Sequence, residues 1–437
     1  MTALLLLCVA GLITMMPAIS RAQEMRNGPV KGVLIIFSPE EAVTAALTGS
    51  PVLRGAWASY QAARADALQA PLRPNPEASI MVENFGGLGG RGKYRGGGTA
   101  ETTLGVSQRI ELGGKRMARI ALAGRSGDAA TLVYDAARLD LMRDVVTALA
   151  ETEAAARNMG VEQERLRLAT ETLRVARMRV EAGKEPLLQT RRAEVVRAGA
   201  EIAAERARRE ADAVLHNLSV LLGVSRVELA PRRAWYDDVG PPPSPPQPAD
   251  ALERLAANPD LARLDAVIAR QRANISLQRA NGIPDVTLQG YVRRFEEGRD
   301  TAFMVGASIP LPLQDRNQAG IARAQAELSR AETEAEHGRL ALVAALITAE
   351  RRTELAWRAV QSLRRDALPA AEQAARFAAG GFAEGKFGFL DVLDAQRALS
   401  DTRAQLNDAL REFHIRRASV KRLRGQEFGI SPAGGSR

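Results

Sequence analysis

Ala78-Ser79-Ile80-Met81-Val82-Glu83 and Thr103-Leu104-Gly105-Val106-Ser107-Gln108-Arg109-Ile110 decide what this chain can be. In the first, Ala78, Ile80 and Val82 share one face against Ser79, Met81 and Glu83. In the second, Leu104, Val106 and Ile110 oppose Thr103, Gly105, Ser107 and Arg109. Alternation of period two predicts β-strands, here about 77–84 and 101–110. Residues 85–100 between them hold eight glycines and read as a flexible loop tip. The device returns later. Val286, Leu288 and Val292 alternate with Thr287, Gln289, Tyr291 and Arg293, and Phe303, Val305, Ala307 and Ile309 with Met304, Gly306 and Ser308. These predict strands at about 285–295 and 301–309, joined by a short loop at 296–300. Each run approaches the ~9–11 residues that cross a bilayer in a tilted barrel.

Around these strands the chain repeats itself. Ser50-Pro51-Val52-Leu53 returns as Asn258-Pro259-Asp260-Leu261, an offset of 208 (from 50 to 258), and Pro76-Glu77 returns as Pro284-Asp285 at the same offset. Gly183-Lys184 returns as Gly385-Lys386, and Leu222-Gly223 as Arg424-Gly425, both at 202 (183 to 385, 222 to 424). The change of offset falls between the two strands of each pair, where a surface loop changes length cheaply. Two structural repeats follow, 38–230 and 250–425, joined by a proline-rich stiff linker at 231–249. A segment at 23–37 precedes them and a tail at 426–437 follows.

Long helices fill the rest. Ser38 with Glu41 forms a capping box and predicts one helix running to about Ala70, where Pro71, Pro74 and Pro76 stop it. Between Gly113-Gly114, a strand-to-helix turn, and Pro186 there is no proline. About 70 residues of helix at 1.5 Å per residue would reach roughly 100 Å. Leu166, Ala169, Leu173, Ala176 and Val180 step 3, 4, 3, 4, a heptad seam with small residues for close approach. Gly183-Lys184 then breaks the helix. The last helix carries its seam on Leu399, Leu406, Leu410, Phe413, Val420 and Leu423.

Composition agrees: aromatics are only 4%, which suits long helices rather than a compact enzyme with an aromatic core. Residues 4–16 form an apolar run too short to span a bilayer as a helix. Ala18, Ser20 and Ala22 follow, so 1–22 reads as a secretory signal, although no Lys or Arg precedes it; a buried strand or helix is the alternative. Cys8, the sole cysteine, lies within that run and too early to carry a lipid. Cleavage would leave no disulfide and no thiol chemistry. The net charge of +9 raises the question of nucleic acid, but Lys and Arg alternate with Glu along the helices, as in Arg206-Ala207-Arg208-Arg209-Glu210, without aromatic platforms. A solvated helix surface is the better reading, and no nucleic-acid partner is expected. Gly87-Leu88-Gly89-Gly90-Arg91-Gly92-Lys93 mimics a phosphate loop, but Tyr94 stands where Ser or Thr is needed and no helix follows. His216, His337 and His414 are isolated and read as helix-surface residues rather than metal ligands. Neither a cofactor nor catalysis is called for.

Four strands cannot close a barrel, and their open edges would be an aggregation hazard. Three copies supply twelve strands and one wall. The ordered motifs resemble the TolC-like outer-membrane efflux family over nearly all of 38–425: Pro74-Asn75-Pro76, Glu111-Leu112-Gly113-Gly114-Lys115-Arg116, Leu311-Pro312-Leu313 with Arg316-Asn317, and Gly385-Lys386 followed by Leu390-Asp391-Val392-Leu393-Asp394-Ala395. The Leu-Gly-Gly-Lys-Arg and Arg-Asn pieces resemble its CzcC-type, heavy-metal cation branch. The resemblance implies a mainly α chain with a small transmembrane β part: a homotrimer with a twelve-stranded barrel in outer-membrane lipid and a periplasmic α-helical barrel. It implies a periplasmic adaptor and an inner-membrane pump of the resistance–nodulation–division type. It also implies that Gly183, Lys184, Gly385 and Lys386 form adaptor-facing tips, beyond the ordinary helix-hairpin turns they are in any case. Asp391 and Asp394 share one helix face; they either complement the helix dipole or, through the resemblance, ring a constriction at the periplasmic end. Gln189 and Arg192 stand at the equivalent offset in the first repeat, where Arg192 could tie the gate shut. An exported coiled-coil scaffold without a pore, or a duct for drugs or secreted products, are the alternatives.

Overall fold

A computed structural model of the chain describes residues 30–86, 96–230, 234–241 and 249–427. The apolar leader, the phosphate-loop mimic at 87–94, most of the proline run and the end of the tail lie outside these residues. In chain order the elements are β1 (Val30–Ile36), α1 (Pro39–Gly49), α2 (Pro51–Gln69), β2 (Glu77–Glu83), β3 (Glu101–Ile110), α3 (Lys115–Glu181), α4 (Leu187–Leu222) and β4 (Val224–Leu229). There follow α5 (Ala234–Asp237), α6 (Ala251–Arg254), α7 (Pro259–Asn281), β5 (Val286–Phe295), β6 (Thr301–Ser308), α8 (Gln318–Ser362), a π-helical turn (Leu363–Ala367), α9 (Leu368–Ala383) and α10 (Phe389–Leu423).

Helix α3 is continuous over 67 residues, about 100 Å at the α-helical rise. Its seam buries Ala169, Leu173 and Ala176. The helix expected from Ser38 to Ala70 is in fact two. It opens as the sequence predicts, with Glu41 N–H donating to Ser38 Oγ (3.3 Å) and Phe37 N–H to Glu41 Oε2 (2.8 Å). It breaks at Ser50, which is extended (φ −65°, ψ 127°) because a residue before proline is steered out of the α region. The corresponding Asn258 adopts φ −76°, ψ 120° and caps α7 through its side chain, accepting from Asp260 N–H at 2.7 Å.

The two repeated motifs meet in space. Gly223 closes α4 with φ +70°, and a Cβ there would lie 2.6 Å from Gly49 O, beside Pro51. Gly425 follows α10 with φ +66°, and a Cβ there would collide with the Ala257 carbonyl, beside Pro259's cap. Asn258 Nδ2 seals that contact by donating to Leu423 O at 2.7 Å. Glycine is required at both places by its positive φ and by the backbone pressed against it.

Strands β2, β3, β5 and β6 form one antiparallel sheet in that order. Register sorts its faces. Ile80 pairs with Leu104, Leu104 with Val292 and Val292 with Phe303, so one face is an apolar band. Phe303 is 80% and Val305 92% exposed on it. The other face is more polar: Met81, Thr103, Arg293 and Ala302 share a row. Arg293 clamps three strands there, donating to Thr103 Oγ1 (3.0 Å) and Glu101 Oε2 (3.0 Å) and lying 3.2 Å from Glu83.

The 23–37 segment, read simply as an N-terminal extension, carries β1, which pairs in parallel with β4. This small sheet packs on α1 and the middle of α3 in the largest core, with Ile36, Val43, Met142, Val145, Leu218, Leu222 and Val227. The pairing partner is nearly 200 residues away, so no local pattern announces it. The 231–249 linker is also more than a spacer, since α5 buries Tyr236 completely. The second repeat adds the π-helical turn before Pro369, which lacks the N–H that would continue an α-helical ladder.

Gly113 and Gly114 turn β3 into α3 with φ +67° and +75°. A Cβ on Gly113 would lie 2.7 Å from the Ile283 side chain. Gly113→Ala is therefore expected to cost about 1–3 kcal/mol through left-handed strain and the clash. Thermal melting of the purified protein checks this; adding Ile283→Ala should recover the steric share only.

Candidate functional site

The functional expectations fall on the two helical tips, the carboxylates beside them, and the strand-to-helix turn at Gly113-Gly114; the structure adds the waist. At the first tip α3 ends and Gly183 (φ +69°) reverses the chain, with Lys184 N–H donating to Arg179 O at 2.8 Å. At the second, Gly385 (φ +78°) does the same after α9, with Lys386 N–H donating to Gly381 O at 2.7 Å. Lys184 and Lys386 are exposed, and Lys386 Nζ lies 2.6 Å from Glu384. The tips sit side by side. Leu173, Ala176, Ala193 and Phe389 bury a small apolar cluster with Phe382 and Leu393. Arg179 lies 4.5 Å from the centroid of Phe382, a cation–π contact. Arg179 and Phe382 were not singled out by sequence, because an arginine among dozens carries no local mark.

Asp391 and Asp394 stand exposed on the first turns of α10; on those of α4, Arg192 is exposed and Gln189 half-buried. Asp391 Oδ2 accepts the Gly388 N–H at 2.8 Å, so one carboxylate caps its own helix. Among the described residues no ion pair within the chain joins Arg192 to either aspartate. Gln189 Oε1 is buried without a hydrogen-bond partner.

The base of the sheet is held by charge. Lys115 Nζ lies 2.6 Å from Asp285 Oδ1, which also accepts Leu112 N–H at 3.1 Å. Arg119 bonds Glu111 at 2.6 Å and the Ala70 carbonyl at 2.8 Å. The Arg119 hydrogen bond holds the Glu111 carboxyl below the usual range. The Gly113-Gly114 turn lies between these pairs.

At the waist, α5 plugs between the long helices. Tyr236 OH donates to Asn407 O at 2.9 Å, and Arg157 lies 4.7 Å from the Tyr236 ring centroid. Arg157 grips both oxygens of Asp237 at 2.8 Å and Glu153 at 2.7 Å, while Arg364 reaches Asp237 O at 2.8 Å. The Arg157 hydrogen bonds keep the Asp237 carboxyl low. His414, expected on a helix surface, is instead buried and stacks on Tyr236. Its Nε2–H donates to Tyr236 O at 2.9 Å, which fixes the neutral tautomer. Trp235-Tyr236 was the available signal: two adjacent aromatics in an aromatic-poor chain mark a buried anchor. Among the described residues no group of His, Cys, Asp or Glu could hold a metal ion, and no helix is long and apolar enough to cross a membrane.

Residues 42–224 and 252–426 match the sequence profile of the family described as outer membrane efflux protein. The chain belongs to that family. It is 30% identical to the cobalt-zinc-cadmium resistance protein CzcC of Cupriavidus metallidurans, over 82% of this chain and 83% of that protein. It is 29% identical to the nickel-cobalt-cadmium resistance protein NccC of Alcaligenes xylosoxydans xylosoxydans, over 74% of this chain and 76% of the relative. The fold matches the open state of the MtrE outer membrane channel of Neisseria gonorrhoeae with a TM-score of 0.74 at 21% identity, covering 89% of each chain. The protein is thus a TolC-like outer-membrane efflux channel with a periplasmic helical body. Its family is one of channels, not enzymes.

Burial lowers His414 to about 4 from 6.5. The unfolded chain therefore binds more protons between these values, and stability should fall as pH drops from about 6.5 to 4, by up to ~3 kcal/mol. Above pH 6.5 this contribution is constant. His414→Gln should flatten that part of the curve in denaturant titrations across this window; an equal slope in both proteins would assign it elsewhere.

Proposed function

We propose that this channel is the homotrimeric exit duct of a tripartite resistance–nodulation–division efflux system and that its cargo is heavy-metal cations. Membership of a family whose channels are trimeric outer-membrane components of tripartite efflux pumps supports this reading. The observation that carries the cargo is the 30% identity to a cobalt-zinc-cadmium resistance protein along most of both chains. The open edges of β2 and β6 support the trimer. β2 and β6 run in opposite directions, so β6 of one copy can pair antiparallel with β2 of the next. Three copies then close twelve strands with the apolar face outward and the Arg293 face inward.

The periplasmic adaptor and the inner-membrane pump supply selection and energy. The paired tips at Gly183-Lys184 and Gly385-Lys386 are the surface we assign to the adaptor, since both hairpins lie together at one end of the shaft. Asp391 and Asp394, repeated three times, would ring the periplasmic entrance and favour cations. Arg192 and Gln189 belong to the same constriction, where Arg192 can reach the aspartates only across a subunit boundary or by movement.

Deleting the protein should lower the tolerated concentration of cobalt, zinc or cadmium, and restoring it should rescue growth. Unchanged tolerance to all three would overturn the cargo assignment while leaving the channel. Asp391→Asn with Asp394→Asn preserves hydrogen-bond acceptors at the α10 cap and should reduce cation over anion preference in single-channel recordings. Unaltered reversal potentials would remove these aspartates from the gate.

A further inference from the structure

The junction between sheet and helices carries two features that neither the pore nor the pump requires. The first is an apolar row that outlasts its strand. β6 ends at Ser308, yet the odd-numbered series Phe303, Val305, Ala307 and Ile309 continues as Leu311 and Leu313, 73% and 78% exposed. Leu72, before β2, is exposed as well. The second is a set of arginines without carboxylates. Most arginines of the helical shaft have an ion-pair partner, often at i±3 or i±4 as Arg323 has in Glu327. Arg73, Arg116 and Arg316 have no ion-pair partner among the described residues. Three acids of the junction are engaged elsewhere, Glu111 by Arg119, Asp285 by Lys115, and Asp315 by the Asn317 N–H at 2.8 Å, while Glu77 at the start of β2 is exposed and forms no ion pair with these arginines.

The arginines are held beside the exposed leucines. Arg316 Nε donates to Pro312 O at 3.1 Å, between Leu311 and Leu313. Arg116 Nε donates to Pro71 O at 2.7 Å, next to Leu72 and Arg73. In each case a carbonyl fixes the root of the guanidinium and leaves other N–H groups free to donate. This junction lies at the periplasmic end of the barrel, since the strand ends at Glu83, Glu101, Phe295 and Thr301 lie at the opposite end of the sheet from the helices.

We propose that this collar binds anionic phospholipid of the leaflet facing the periplasm. Leu72, Leu311 and Leu313 continue the barrel's lipid contact into the headgroup boundary. Arg73, Arg116 and Arg316 meet the phosphates there, with apolar and charged parts at matching depths. Bidentate guanidinium donors suit phosphate oxygens. The inference rests on the membrane placement of the barrel and not on cargo, gate or adaptor.

The test is native mass spectrometry of the purified full-length channel in neutral detergent, titrated with dioleoylphosphatidylglycerol or dioleoylphosphatidylcholine. The channel should retain phosphatidylglycerol in preference to phosphatidylcholine. Arg73→Gln with Arg316→Gln should weaken phosphatidylglycerol binding by about fivefold per arginine. Arg73→Lys with Arg316→Lys should keep most of it, and Arg323→Gln on the shaft should not alter it. Equal retention of the two lipids, an undiminished preference in the glutamine variant, or an equal loss from Arg323→Gln would overturn the proposal. Conductance of the same variants in planar bilayers reports on the duct separately.

Discussion

A β-sheet in hydrocarbon cannot end in unpaired peptide groups. Each unsatisfied N–H or C=O there costs several kcal/mol, and this chain has two such edges, β2 and β6. Everything else follows from meeting that constraint with so short a sheet. Among the described residues this sheet has four strands, so the proposed closure by copies meets the constraint, and copies can share a wall only if the helices beneath are arrayed on the same circle. The apolar band and the polar Arg293 row show the sheet already sorted for lipid on one side and water on the other. The opposed strand directions at its edges suit end-to-end closure without a change of register rule.

Below the sheet, the physical problem is the reverse. Helices this long cannot be held by a thick core, and the chain uses narrow seams of small residues instead. Ala169, Ala176, Ala193, Ala200, Ala324, Ala331 and Ala335 are all buried. Their size brings backbones close and keeps the wall thin. Outside the seams, arginine and glutamate pair along the helix surface, as in Arg167–Glu164 and Arg209–Glu205. Such exposed pairs each contribute little to stability, but they keep a long basic surface soluble. The basic balance that first suggests nucleic acid is the by-product of this design.

What the sequence disclosed was what periodicity can encode. The strand pairs, the long helix after Gly114, the Gly-Lys breaks and the repeat all depend on neighbours a few residues apart. The reading failed where distant residues decide. β1 exists because β4 is there to pair with it. The helix begun at Ser38 breaks at Ser50, where Pro51 and the carbonyl-to-Gly223 contact act together. His414 has an ordinary helical context, and only the docking of Tyr236 buries it. The same limit applies to the candidate site: the tip glycines were visible as helix breakers, whereas Arg179 against Phe382 became visible only when two hairpins lay side by side.

The π-helical turn at Leu363–Ala367 has a consequence for anyone recombining these proteins. One residue advances an α-helix by about 100°, and a π-turn accommodates an extra residue without lengthening the shaft. The side chains of α9 are thus set in phase with their neighbours by this one wide turn. A chimera that grafts the lower shaft of a relative onto this upper shaft has to match residue count through that turn. If one residue is lost there, every position down to the second tip is rotated to a new azimuth, even though each helix remains intact.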